Sequence, residues 1–101
     1  GRWVRGQTIS RDRVAEYTFY ASAGRYVTIA MERDSASPRL DPYLQLMDPS
    51  GRIVAYDDDG YGSGNSLIDS YYVRRSGTYT ILARSYDDAS YGTFWIYLQI
   101  D

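Results

Sequence analysis

The acidic side chains are the residues of this sequence with the clearest potential for chemistry. Thirteen residues are Asp or Glu, and three of them are consecutive, Asp57 to Asp59, with Gly60 after them. Clustered carboxylates together with loop carbonyl oxygens suit a hard cation such as Ca²⁺, which takes about six to eight oxygen ligands. The segment therefore predicts a calcium site in a loop. The predicted ligands are Asp41, Asp57, Asp58 and Asp59.

A hairpin brings these ligands together in this interpretation. The segment 48–51 reads Asp-Pro-Ser-Gly, with Pro and Gly where a tight turn favours them. We expect Met47 to pair with Arg52 across this turn. Asp41 then lies opposite Asp58, and two facing carboxylates repel each other unless a cation neutralises them. The alternative is a solvated Asp-Gly turn, with Asp41 in a surface ion pair. The candidate partners for that ion pair are Arg33 and Arg39.

The residue types that the chain lacks limit the catalytic mechanisms that it could use. All eleven basic residues are Arg, and there is no His, Cys or Lys. These absences exclude Ser-His pairs, Ser-Lys pairs, thiolate nucleophiles and imidazole-bound zinc. Paired carboxylates remain chemically possible, as in glycoside hydrolysis, but a chain of 101 residues leaves little room for a cleft between them. We therefore expect a protein that is not an enzyme.

Tyrosine is the other unusual feature of the composition. The chain has twelve Tyr and two Trp, and Tyr offers a large contact area with a hydroxyl for hydrogen bonds. One interpretation is a contact face near the acidic loops that binds a carbohydrate or a protein. The other is ordinary strand propensity, with packing beneath the loops. The candidate ligand-binding residues are Tyr61, Tyr86, Tyr91 and the neighbouring pair Tyr71 and Tyr72, with Trp95 and Tyr97 as further candidates.

Strands must position these side chains, because apolar and polar residues alternate along most of the chain. Tyr17, Phe19 and Ala21 show this period of two, and Gly, Pro, Asp and Ser clusters separate the alternating segments. The pattern predicts an all-β fold, an antiparallel β-sandwich of about eight strands, as one domain over residues 1–101. The predicted strands are 2–8, 14–22, 25–32, 42–47, 52–57, 66–73, 77–86 and 92–100.

Antiparallel strands would sort the connections between two ends of the sandwich. The short turns at one end are 22–25, 48–51 and 73–77. The longer loops at the other end are 9–13, 33–41, 57–65 and 87–91. We expect the second end to be acidic, because its loops hold eight of the eleven Asp. We expect the first end to be basic, with Asp48 as its one acidic residue. Its basic residues are Arg25, Arg52, Arg74 and Arg75.

The composition also limits the kinds of partner that we expect. The net charge is -2, and no positive stripe exists to neutralise a run of phosphates, so nucleic acid is not an expected partner. The apolar runs are far shorter than the roughly 20 residues of a membrane helix, so we expect no membrane insertion. The chain begins at Gly1 and not at Met, which favours a segment of a longer precursor. We expect a monomer.

Seven short motifs follow one another along the chain. They are Glu16-Tyr17-Thr18-Phe19, Ala23-Gly24-Arg25-Tyr26-Val27, Leu40-Asp41-Pro42-Tyr43-Leu44, Asp48-Pro49-Ser50-Gly51, Ala55-Tyr56-Asp57-Asp58-Asp59, Ser76-Gly77-Thr78-Tyr79 and Tyr91-Gly92-Thr93-Phe94. Their order and spacing resemble the bacterial pre-peptidase C-terminal domain, which is found beside secreted peptidases and is related to the collagen-binding modules of bacterial collagenases. The resemblance covers nearly the whole chain.

This resemblance implies a jelly-roll-like sandwich attached to a larger exported enzyme or surface protein, with that protein's catalytic domain as a partner. For some members it implies calcium binding and adhesion to collagen or another extracellular polymer. The expected function is a non-catalytic accessory domain that aids stability, secretion or substrate attachment. The expected location is secreted or at the bacterial cell surface. The alternative is an independent carbohydrate- or protein-adhesion module that uses exposed Tyr and Trp.

One departure from the relatives limits what the resemblance implies about the metal. The calcium site of the collagen-binding relatives uses an acidic segment upstream of the first strand and acidic residues just before the second. The upstream segment is missing here, and Ala15 occupies a position where an acidic ligand is expected. That particular site is therefore not transferred to this chain.

Overall fold

The structure is a computed structural model that describes residues 2–8, 14–36, 40–58, 65–85 and 92–101. The strands in these ranges are β1 (Arg2–Thr8), β2 (Ala15–Ala21), β3 (Tyr26–Arg33), β4 (Pro42–Met47), β5 (Ile53–Asp58), β6 (Ser66–Tyr72), β7 (Gly77–Ser85) and β8 (Gly92–Ile100). Each agrees with a predicted strand to within one residue at either end. The described part of the chain has no helix with the length and apolar character that crossing a membrane requires.

Two four-stranded antiparallel sheets form the sandwich. Sheet I has the strand order β1-β8-β3-β6, and sheet II has the order β2-β7-β4-β5. Strands β4 and β5 follow each other within sheet II, whereas every other pair of consecutive strands is divided between the two sheets. Repeated crossing between two antiparallel sheets is typical of jelly-roll-like sandwiches. The predicted fold class is confirmed.

The core lies between the sheets and follows the period of two along each strand. In β4, Leu44 and Leu46 are fully buried, while Gln45 between them is half-buried on the opposite face. Tyr79 from β7 and Phe94 from β8 are the largest fully buried side chains. Full burial of an apolar side chain of this kind stabilises a fold by about 1.5–3 kcal/mol. Alternation in the sequence therefore becomes an inward and an outward face.

A glycine lets β1 pack closely against the opposite sheet. Gly6 lies opposite Phe94 in the register of β1 and β8. A methyl group at this position would come within 2.6 Å of the Phe94 ring and would also overlap the Tyr17 hydroxyl. Burial raises the pKa of that hydroxyl above its ordinary value of 10.0. The missing side chain at Gly6 thus makes room for an aromatic residue of sheet II beneath sheet I.

The connections are sorted between two ends of the sandwich, as the sequence predicts. The short-turn end carries the turns at 22–25, 48–52 and 73–76. At the other end, which we call the long-loop end, Pro42 lies opposite Ser85 and Tyr43 lies opposite Asp58. The residues that flank the loops 33–41 and 57–65 are therefore at the same end, and this prediction is confirmed.

The turn between β4 and β5 is wider than the sequence predicts. Gly51 has a φ of 89°, a left-handed conformation that glycine adopts without a steric penalty. The Asp48 N–H donates to the Arg52 carbonyl oxygen at 2.8 Å, so these two residues face each other. Met47 accordingly pairs with Ile53 and not with Arg52. The turn thus contains one residue more than predicted.

A second extra residue follows on β5. The register shifts between Leu46 and Met47, and Val54 is the residue without a counterpart on β4. Such a β-bulge displaces all the pairings beyond it. Asp58 consequently lies opposite Tyr43 and not opposite Asp41. The predicted facing of two carboxylates is wrong, because the turn and the bulge each add one residue.

Candidate functional site

Asp57, one of the predicted calcium ligands, lies at the long-loop end and connects the two sheets. Its Oδ2 atom accepts a hydrogen bond of 2.8 Å from the backbone N–H of Leu67. Leu67 belongs to β6 in sheet I, whereas Asp57 belongs to β5 in sheet II. A carboxylate in this position satisfies a backbone donor at the edge of sheet I. Sequence reasoning missed this structural role, since the spacing of ten residues carries no recognisable signal.

Asp58 follows Asp57 on the same strand and so points to the opposite face of sheet II. The residue is half-buried and pairs with Tyr43. Regular strand geometry therefore directs the two carboxylates away from a common centre. Within the described ranges, no group of three or more His, Cys, Asp or Glu side chains is placed to hold a metal ion. Asp59 lies outside those ranges.

Asp41, the remaining predicted ligand, belongs to a network of polar contacts at the long-loop end. It is half-buried, and its N–H donates to the Ser85 hydroxyl oxygen at 3.2 Å. Arg33, a predicted partner of Asp41, donates from Nη1 to the Leu40 carbonyl oxygen at 3.3 Å. The Arg33 N–H donates to the Asn65 side-chain oxygen at 3.1 Å. These bonds join the segments that flank β3, β4, β6 and β7.

A buried serine adds a further bond between the sheets. Ser66 is completely buried, and its hydroxyl donates to the Pro42 carbonyl oxygen at 2.6 Å. Ser66 begins β6 in sheet I, and Pro42 begins β4 in sheet II. In the described part of the long-loop end, hydrogen bonds that involve side chains therefore connect the two sheets. Its carboxylates can hold backbone donors, and they add negative charge beside the loops.

The structure describes Tyr71, Tyr72 and Tyr97 among the predicted ligand-binding tyrosines. The others, Tyr61, Tyr86 and Tyr91, lie outside the described residues. Tyr71 is half-buried and packs edge-on against Tyr79, with ring centroids 6.4 Å apart. Burial is the main cause that raises the pKa of its hydroxyl. The side chain thus borders the core near the short-turn end and does not form a face beside the acidic loops.

Large apolar side chains are exposed at further positions, and of these the sequence singled out Tyr72 and Trp95. The described residues include six of them, and four lie at the first, penultimate or last position of a strand at the short-turn end. These four are Tyr20, Tyr26, Ile53 and Tyr72. The other two are Tyr56 and Trp95. The signal that could have found Tyr20, Tyr26 and Ile53 is their position beside predicted turns, on the outward side of each strand.

Asp48 closes the hairpin turn at the short-turn end. Its Oδ1 atom accepts hydrogen bonds from the hydroxyl and the N–H of Ser50, at 2.7 and 2.9 Å, and from the N–H of Arg52 at 3.0 Å. These hydrogen bonds, the Ser50 hydroxyl first, hold the pKa of the Asp48 carboxyl below its ordinary value of 3.8. The Asp48 carboxylate therefore forms its hydrogen bonds within its own turn.

The charge at the short-turn end is less one-sided than predicted. The four predicted arginines are all exposed there. Asp101 lies at the same end, since its backbone pairs with Tyr26 and its carbonyl oxygen accepts a 2.7 Å hydrogen bond from Arg25 Nε. The expectation that Asp48 is the one acidic residue of this end is therefore wrong. The arginines still outnumber the carboxylates.

Known proteins share both the sequence pattern and the fold. The profile of the family described as "Bacterial pre-peptidase C-terminal domain" matches residues 13–85. The pre-peptidase C-terminal domain of collagenase from Bacillus anthracis has a TM-score of 0.76 and 17% identity, over 97% of this chain and 88% of that chain. Aeromonas hydrophila PliG, a periplasmic lysozyme inhibitor of g-type lysozyme, has a TM-score of 0.74 and 17% identity, over 99% of this chain and 85% of that chain. Comparison with curated proteins finds no match.

The family match extends from just before β2 to the end of β7. It includes the predicted ligand segment and all three short turns. The two solved structures, at 17% identity, show a shared fold. The family match covers well over half of the residues, and the chain therefore belongs to the bacterial pre-peptidase C-terminal domain family.

Proposed function

We propose that this chain is a non-catalytic accessory module of a secreted or cell-surface bacterial protein, and that its partner is the catalytic domain of that protein. The observation that carries the proposal is the family match across six of the eight strands. The composition supports it, because a chain without His, Cys or Lys lacks the groups of most hydrolase mechanisms. The module aids stability, secretion or substrate attachment.

A substrate panel tests the non-catalytic part of this proposal. We expect no turnover of glycoside or ester substrates, since a sandwich of this size has little room for the cleft in which two carboxylates act as an acid and base pair. Turnover above a buffer blank that disappears with Asp58→Asn or Asp41→Asn would contradict the proposal. Turnover that survives both changes would indicate a contaminating enzyme, which repurification would remove.

A calcium ion at the long-loop end is the second part of the proposal. It is supported by the carboxylates gathered there, four of them in the described residues: Asp34, Asp41, Asp57 and Asp58. The carboxylate of Asp57 is already bonded to Leu67, and Asp58 points the other way. The ion therefore takes ligands from the loop, with Asp59 as the leading candidate, together with Asp58 and Asp41. Loop carbonyl oxygens complete a shell of the size that Ca²⁺ prefers.

A thermal melt with metal-stripped protein tests the calcium site. A cation that binds only the folded chain stabilises it by about 2.7 kcal/mol at a hundredfold excess over its dissociation constant. We expect millimolar calcium to raise the melting midpoint by about ten degrees or more relative to chelator. Asp58→Ala should abolish most of the rise, whereas Asp101→Ala at the opposite end should leave it intact. An unchanged midpoint in the wild type would contradict calcium binding and leave the accessory role standing.

Adhesion is a second candidate function, favoured by the exposed aromatic residues. Tyr56 is 68% exposed and Trp95 is 38% exposed, each on the outer face of its sheet. A domain with this fold from Aeromonas hydrophila is described as a lysozyme inhibitor, which is a protein-binding function. A pull-down on insoluble collagen, chitin and peptidoglycan tests adhesion, with an unrelated β-sandwich of similar size as the control. Retention no greater than that of the control would contradict it.

A further inference from the structure

Two exposed tyrosines form a fixed aromatic pair at one corner of the short-turn end. Tyr26 begins β3 and Tyr72 ends β6, and the two residues are direct partners in sheet I. Their ring centroids are 5.3 Å apart at a tilt of 57°. They are 47% and 46% exposed, although aromatic side chains of this size usually bury most of their surface. The pair therefore presents apolar area to solvent in a defined geometry.

Arginines lie directly beside this pair. Arg25 precedes Tyr26 in the chain, and Arg74 follows Tyr72 by two residues. Both arginines are exposed. We call the four residues Arg25, Tyr26, Tyr72 and Arg74 the tyrosine-arginine corner. Tyr and Arg are the residue types most enriched, with Trp, among side chains that dominate protein–protein binding energy.

The backbone under the corner is held in place by hydrogen bonds between two turns. The Gly24 N–H donates to the Val73 carbonyl oxygen at 2.8 Å, and the Val73 N–H donates to the Arg25 carbonyl oxygen at 2.9 Å. The Ala23 N–H donates to the Ser76 hydroxyl oxygen, also at 2.8 Å. A surface that is already ordered loses little conformational entropy when a partner binds. The corner is thus pre-organised for contact.

The charges around the corner favour an anionic partner. Its two arginines are joined at this end by Arg52 and Arg75. Of the two carboxylates described there, that of Asp48 is bonded within its own turn. That of Asp101 accepts a 2.9 Å hydrogen bond from the Gln99 side chain. Guanidinium groups bind carboxylates through two parallel hydrogen bonds. Arg25 Nε already donates to the Asp101 carbonyl oxygen, so an acidic side chain at this corner would bind the Nη atoms of Arg25 and the guanidinium of Arg74.

We propose that the tyrosine-arginine corner binds a segment of a partner protein that alternates acidic and apolar residues. The apolar residues would pack on the tyrosine pair, and the carboxylates would bind the arginines. A strand-like pairing along the edge of β6 does not fit, because Ser70 has a φ of 57° and interrupts that edge. A nucleic acid does not fit either, because the four exposed arginines of this end do not match a long run of phosphates. The proposal is independent of calcium and of catalysis by any attached domain.

An NMR titration of the ¹⁵N-labelled chain tests this inference. The probe is a short synthetic peptide that alternates Glu and Leu, and the control peptide has Gln in place of each Glu. We expect the Glu peptide to shift the backbone signals of 24–26 and 72–75, with an affinity that falls as salt is added. The Gln peptide should bind at least about tenfold more weakly, because it cannot form charged hydrogen bonds with Arg. Absence of shifts with the Glu peptide, or equal binding of both peptides, would overturn the inference.

Matched variants locate the binding surface. Tyr72→Ser and Arg74→Gln should each weaken binding of the Glu peptide by about fivefold or more. Tyr56→Ser and Arg84→Gln remove the same groups outside the short-turn end and should leave binding unchanged. A melt of each variant checks that it is folded. Equal losses from both sets would show unspecific charge attraction and would contradict the inference. Binding of a heparin oligosaccharide at this corner, without binding of the Glu peptide, would assign it to sulfated polysaccharide instead.

Discussion

The hydrogen bonds that connect neighbouring segments differ between the two ends of the sandwich. At the short-turn end, backbone groups join the turns 22–25 and 73–76, as in the bond from Gly24 to Val73, and the side chains of Ser76 and Asp48 accept further bonds. At the long-loop end, the side chains of Asp57 and Ser66 join the two sheets, and a backbone bond links Asp34 to Thr93 within sheet I. Almost any residue can make a backbone bond, whereas a side-chain bond needs a particular residue. We therefore expect the exposed tyrosines and arginines of the short-turn end to tolerate substitution better than Asp57 and Ser66.

The difference also separates stability from recognition. The residues that hold the long-loop end together are buried or half-buried, so that their polar groups are used within the fold. At the short-turn end, Tyr26, Tyr72 and Arg74 are exposed on segments that backbone bonds such as Gly24 to Val73 connect. Such side chains are free to change with a binding partner, because the turns beneath do not depend on their identity.

The largest effect is expected where β1 packs near the long-loop end. Gly6→Ala places a methyl group within 2.6 Å of the Phe94 ring and onto the Tyr17 hydroxyl, and overpacking of this kind destabilises by about 3 kcal/mol. Chemical denaturation of both proteins measures the change. Adding Tyr17→Phe should restore part of the loss, because it removes one of the two clashing groups. A stability of Gly6→Ala equal to that of wild type would show that β1 moves freely.

An intermediate effect is expected from Asp57. Asp57→Ala leaves the Leu67 N–H without its 2.8 Å acceptor, and an unsatisfied backbone donor destabilises by about 1–3 kcal/mol. Asp57→Asn keeps an acceptor oxygen in the same place and should recover most of this loss. The measurement is the free energy of unfolding in chelator, so that calcium plays no part. Equal losses from both substitutions would argue for a role of the negative charge instead of the hydrogen bond.

The smallest effect is expected at Asp48, in the exposed turn of the short-turn end. Its folded pKa is lowered below 3.8, so its contribution is present above that pH and is lost as the pH falls through the folded pKa. Asp48→Asn keeps the hydrogen-bonding oxygen but does not titrate. Wild type should therefore lose more stability than Asp48→Asn between about pH 7 and about pH 2. An identical loss in the two proteins would contradict this assignment, and added salt should shrink the difference because the group is exposed.

The β-hairpin shows where sequence reasoning about the site fails. Its turn residues predict the reversal correctly, but not the extra residue at Gly51 or the bulge at Val54. Both arise from the way the strands pair, and no residue type in the segment demands them. Two displaced residues were enough to replace Asp41 by Tyr43 as the partner of Asp58. The sequence thus predicts which acidic residues share an end of the molecule, but not which of them meet.

The neighbouring tyrosines of β6 show the same limit. In a regular strand that buries Ser66 and Ile68, Tyr72 would face the core and Tyr71 the solvent. Ser70 adopts a φ of 57° and the pairing with β3 shifts, which reverses the two faces. Tyr71 therefore borders the core, while Tyr72 becomes part of the exposed corner. One local irregularity thus decided which of the two candidate tyrosines is exposed.

The sequence by itself determined the eight strands, the positions of the turns and the distribution of connections between the two ends. It could do so because alternation of apolar and polar residues is a local property, and turns depend on Gly, Pro and Asp at particular positions. Only the tertiary structure decided the register of β4 with β5, the bond from Asp57 to Leu67 and the exposure of the tyrosine-arginine corner. These features depend on bulges and on contacts between strands of different sheets. The stability of these features depends on groups that are distant in the chain, so local sequence patterns do not predict them.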